Sequence, residues 1–115
     1  MSQFTTHYMN LHADPFKKIS KGTKTIEMRL YDEKRRLIQI GDKIVFQCND
    51  TDEKLTTTVV ALHRYNNFND LYSHHDKISI GYSDDEAATP NDMLAYYTKA
   101  QIKKYGVLGI EIKTV

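Results

Sequence analysis

A chain of 115 residues with one cysteine is long enough for one core of common domain size, and it offers no internal disulfide and no multi-cysteine zinc site. No apolar run approaches the ~20 residues of a membrane span, and the first residues lack a basic stretch followed by an apolar one, so the expectation is one soluble, cytoplasmic domain over residues 1–115. With 16 basic and 15 acidic residues the formal charge is only +1, which excludes a basic field over the whole protein and makes any attraction for an anion local.

The first strand is expected over residues 6–12, through His7-Tyr8-Met9-Asn10-Leu11. Asp14 suits a helix cap and Pro15 the first helical turn, so a short helix runs over 15–21 with Phe16 and Ile19 inward and Lys17, Lys18 and Lys21 outward. Gly22 ends it. In the next strand, 24–30, Ile26, Met28 and Leu30 alternate with Glu27, Arg29 and Tyr31. The pleat sends the aliphatic set to a core and presents carboxylate, guanidinium and phenol on the other face, with Lys24 and Thr25 at the strand's start. Two readings of that face compete. One is a solvated surface whose ion pairs contribute about 0.2–1 kcal/mol each. The other is the mouth of a ligand cleft, with Lys21 nearby.

Strands over 43–49 and 55–65 are joined by a turn at Asn49-Asp50-Thr51-Asp52, and the second is β-branched and long enough to bend around a barrel. A helix over 68–74 packs through Phe68, Leu71 and Tyr72. Ile78, Ile80 and Tyr82 then alternate, while Gly81, Ser83, Asp84 and Asp85 suggest a loop, so 76–89 reads either way. Pro90 opens a helix over 90–104 with Thr89 as its cap, and Tyr97 is the tyrosine chosen to border a pocket. Gly106 precedes a last strand over 107–114. Cys48 reads as a small buried hydrophobe, and the adjacent His74 and His75 point about 100° apart on a helix, so neither a metal nor a cofactor is expected.

Charge is distributed unevenly. Residues 14–36 are rich in Lys and Arg, Lys99, Lys103 and Lys104 form a second basic cluster, and most compensating acid lies at 49–53 and 84–92. Such polarity suits a nucleic acid or nucleotide on one face, although solvated helix faces have the same composition.

Taken together, His7-x-Met9-x-Leu11, Pro15-Phe16-x-x-Ile19-x-x-Gly22-x-Lys24-Thr25-x-Glu27-x-Arg29 and Gly41-Asp42-x-Ile44-x-Phe46 resemble the ASCH domain family of the PUA-like superfold. The Gly-x-Lys-x-x-Glu-x-Arg stretch is complete, and the likeness continues through Tyr96-Tyr97 and Tyr105-Gly106-Val107-Leu108-Gly109-Ile110. The resemblance implies an α+β fold, a small, mostly antiparallel PUA-like β-barrel with two or three peripheral helices, and an RNA, nucleotide or nucleoside ligand. Protein partners and oligomeric state are left open. For such a ligand, Lys21, Lys24, Thr25, Glu27 and Arg29 supply donors and an acceptor at the cleft mouth, and Tyr31 and Tyr97 offer rings on which a base stacks.

The chain is also similar in layout to small ASCH amidohydrolases that remove the acetyl group of N4-acetylcytidine with a lysine, a threonine nucleophile and a later glutamate. Lys24 matches the lysine and Glu86 the glutamate, but Glu27 stands where the threonine falls, and Thr25, though nearby, is rotated to the other side of the pleat from a residue one away. The alternatives to a binding module are thus an amidohydrolase and a metal-independent ribonuclease, with Lys24, Glu27 and Glu86 as the catalytic candidates.

Overall fold

β1 (Thr6–Leu11) and β3 (Lys43–Cys48) run parallel, a pairing that needs a crossover, and α1 (Ala13–Lys21) with β2 (Ile26–Leu30) lies between them in the chain. The computed structural model describes residues 3–115. β3 turns into β4 (Lys54–Tyr65), β4 pairs with β5 (Val107–Thr114), and β5 pairs with β2, all antiparallel. The order is β1-β3-β4-β5-β2 in one curled sheet that contains both the first and the last strand. A bulge between Val59 and Ala61 bends β4 so that it serves both neighbours. The expected barrel is thus a half-barrel whose two edges, β1 and β2, are not paired as strands. No helix among the described residues is long and apolar enough to cross a membrane.

Two apolar clusters hold the fold. The larger joins Phe16 and Ile19 of α1 to Ile44, Phe46 and Ile110, and Cys48 is buried within it. The smaller joins Ile26, Met28 and Leu30 to Phe68 and Leu71 of α2 (Phe68–His74), with Ile80 and Met93. β2 is therefore covered on both faces. Glu27 lies opposite Ile110 and Arg29 opposite Leu108, so the charged set shares its side of the sheet with the larger core, and Glu27 is only 4% exposed. The face of β2 is thus not an open, solvated surface: Lys24 and Glu27 are buried, and with Arg29 they border a cleft.

Helix ends also differ from expectation. His12, not Asp14, is the N-cap of α1; Asp14 sits in the first turn and pairs with Lys18 at 3.0 Å. The helix expected over 90–104 is two pieces, a 3-10 turn over Pro90–Ala95 and α3 (Lys99–Tyr105). Thr98 interrupts it because its side chain and that of Gln101 form a reciprocal capping box, whereas Thr89 makes no side-chain cap. Residues 76–89 form a run of turns.

Candidate functional site

Gly22 adopts φ 84°, and the chain leaves α1 with the Gly22 and Lys24 amides donating to carbonyls of its last turns. That exit fixes where Lys24 stands relative to β2. Its Nζ lies 2.8 Å from Glu27 Oε1, and Arg29 Nε donates to Glu27 Oε2 at 2.7 Å. Arg29 Nη2 also donates to the Asn10 carbonyl at 3.1 Å, bridging the unpaired edges of β2 and β1. Burial alone raises the Glu27 pKa, but the adjacent Lys24 and Arg29 charges outweigh it, and the carboxyl is held below its ordinary value. One buried carboxylate thus anchors two cations.

This triad floors a cleft of about 420 Å3. One wall is the end of β1 and the start of α1, at Asn10 and Asp14; the other is Tyr72, Tyr82, Tyr96 and Tyr97. Tyr82 donates to Asp92 Oδ2 at 2.7 Å, which leaves Tyr72 to donate to Tyr82 across 2.8 Å. Desolvation raises the pKa of both phenols, so both stay protonated. Gly81, at φ 114°, passes so close to Lys24 that a Cβ there lies 3.1 Å from Lys24 Cδ. The Gly81 carbonyl in turn accepts from Lys18 Nζ at 2.9 Å.

Lys24, Glu27, Arg29, Tyr97 and Glu86 all line this cleft. Glu86 is exposed, takes the Ser83 amide at 2.7 Å and lies 3.5 Å from Lys18 Nζ. Lys21, Thr25 and Tyr31 are not brought to it. Lys21 is exposed on the last turn of α1. Thr25 is spent on backbone pairing, its N–H to Ser79 and its carbonyl to Ile112. β2 ends at Leu30, so Tyr31 leaves the pleat, and its ring lies under Arg64 at 4.0 Å and Arg36 at 5.1 Å. Sequence reasoning missed Asn10, Tyr72, Tyr82 and Asp92. Gly81 beside the alternating Ile80 and Tyr82 was the one local signal that this segment approaches something closely.

A family profile described as ASCH domain matches residues 9–115. No curated protein matches the sequence. Among solved structures, hypothetical protein PH0355 is similar at 29% identity and TM-score 0.81, covering 96% of this chain and 99% of that one. Protein PF0455 from Pyrococcus furiosus is similar at 30% identity and TM-score 0.75, with 96% and 97% covered. An ASCH protein from Zymomonas mobilis, at 14% identity and TM-score 0.68 over 94% of this chain and 67% of that one, shares the fold.

Proposed function

The chain belongs to the ASCH domain family, a PUA-like family for which RNA binding has been proposed, and from that premise we propose that its cleft binds a nucleobase, free as a nucleoside or unpaired within RNA. The observation that carries this reading is Glu27, ionised and engaged by Lys24 and Arg29 at the floor of a cleft walled by tyrosines. A carboxylate has about four lone-pair positions. Those left by Lys24 and Arg29 suit an exocyclic amine, and the two cations suit ring and carbonyl acceptors. The cleft volume falls in the range of small-ligand sites, and aromatic stacking adds ~1–3 kcal/mol per base.

Charge favours the base over a phosphate. Lys24 and Arg29 are joined along the lining by Asp14, Glu27, Glu86 and Asp92, and even with Lys18 beside Asp14 and Glu86 the acids outnumber the cations. A free anion beside Lys24 or Arg29 meets that excess.

Catalysis fits less well. A general base works best with a pKa near the operating pH, and the Glu27 pKa is shifted away from it. Both Glu27 oxygens are also engaged, one by Lys24 and one by Arg29, which disfavours the proton transfer that the ribonuclease reading asks of it. The amidohydrolase reading rests on Lys24 and Glu86 lining one cleft, but Glu27 occupies the nucleophile's position.

The test is calorimetric titration of the protein with the common nucleosides, N4-acetylcytidine and short RNAs, each followed by product analysis. Saturable binding with unchanged ligand is the expected result. No binding to any of them overturns the proposal, and acetate release that is lost in Lys24→Met replaces it with the hydrolase.

A further inference from the structure

Beyond the cleft, a second and wider groove of about 610 Å3 is bordered by Tyr31, Arg36, Arg64, Lys99, Lys103 and Lys104. Its lining holds five cations and no carboxylate. Among the described residues none of the five takes part in an ion pair, whereas Lys18, Lys24, Arg29 and Arg35 all do. In a chain with a formal charge of only +1, this gathering costs folding free energy through like-charge repulsion, and a bound polyanion offsets that cost. Arg36, at the end of the first basic stretch, and Arg64 of β4 meet the second stretch here, because the chain after β2 and α3 before β5 lie at the same end of the paired strands β2 and β5.

The arginines are already positioned. Arg64 and Arg36 lie over the Tyr31 ring, and Arg36 Nε donates to the Tyr31 carbonyl at 3.2 Å. That placement reduces the side-chain freedom given up when their forks grip an oxyanion. The groove also adjoins the cleft. Arg29 lines the cleft and Tyr31 the groove, and Tyr97 lines the cleft and Lys99 the groove, two residues apart on each segment. Two residues of extended chain span at most about 7 Å.

We infer that this groove holds the phosphate backbone of a single-stranded RNA whose unpaired base occupies the cleft. The inference rests on the base-binding reading of the cleft, because a cleft of this size admits a base only when it is out of a duplex. The cleft supplies recognition, and the groove supplies most of the affinity and its salt dependence.

The test uses the chain, a labelled single-stranded RNA of about eight nucleotides, within the range of single-strand-binding sites in general, and fluorescence anisotropy across a salt series. The variant is the triple Lys99→Gln, Lys103→Gln, Lys104→Gln, all on the exposed side of α3. The expected result is RNA affinity reduced about tenfold or more, with the slope of log K against log salt flattened by about 0.7 for each phosphate that is no longer neutralised. Free-nucleoside titration and melting temperature stay at wild-type values. Unchanged RNA affinity and slope in the triple variant overturn the groove while leaving the cleft reading intact. RNA binding that depends on the groove, in a protein that binds no nucleoside, overturns the cleft reading instead. Arg64→Gln serves as an independent variant and is expected to act in the same direction. Equal loss of binding to anionic phospholipid vesicles and to RNA marks the patch as nonspecific and also overturns the inference.

Discussion

Glu27 is the residue on which the interior of β2 depends. The residue is 4% exposed, and its carboxylate stands between two cations that have little else to neutralise them. Removing one member of a buried ionic group leaves the others desolvated and unpaired, so Glu27→Ala is expected to lose ~3–5 kcal/mol in urea unfolding. Glu27→Gln keeps the shape and is expected to lose less, since its amide still accepts one hydrogen bond. Lys24 is buried beside Glu27, so a binding assay on variants of either residue has to be read beside their melting curves. The same group sets a pH dependence. Its folded pKa lies below the unfolded 4.5, so its stabilisation is complete above 4.5 and is lost as pH falls through the folded value. Wild-type stability is therefore expected to fall on acidification below about that pH, and the corresponding curve for Glu27→Gln is expected to be flatter over the same interval. An equal slope in both proteins counts against the assignment.

Among the elements, the turn-rich segment 76–89 and the broken helix after it shape the cleft wall. Gly81 combines φ 114°, which side chains rarely adopt, with contact against the Lys24 stem. Gly81→Ala is expected to cost ~1–3 kcal/mol of backbone strain and to weaken nucleoside binding by displacing Lys24, measured by thermal melting and calorimetry together. A variant that melts lower yet binds normally separates the two effects and refutes the second. Thr98 sets the direction of α3 by accepting from the Gln101 amide at 3.1 Å. Thr98→Ala is expected to lose ~0.5–2 kcal/mol. Hydrogen exchange should show that loss confined to α3, and a loss spread over residues 90–105 points to one continuous helix.

At the scale of the whole molecule, the half-barrel leaves a seam between β1 and β2, and Arg29 spans it from Glu27 to the Asn10 carbonyl. Arg29→Lys keeps the charge but lacks the planar fork, so it cannot hold both partners in this geometry. The expected loss is ~1–3 kcal/mol, with faster amide exchange in β1 than in β4. Equal exchange in the two strands refutes the seam. The sequence by itself determined the strands, the placement of α1 and α2, and the grouping of Lys24, Glu27 and Arg29, because those features follow from alternation, a glycine stop and neighbours a few positions apart. It also carried the family resemblance. The burial of Glu27 was not legible, since alternation separates the two faces of a strand without saying what covers each. The departure of Tyr31 depended on where β2 stops pairing with β5. The wall of Tyr72, Tyr82 and Asp92, and the union of Arg36 and Arg64 with Lys99, Lys103 and Lys104, were decided only by tertiary structure. Proximity between positions so distant in the chain is set by the curl of the sheet and by which edges stay open, and no local period encodes either.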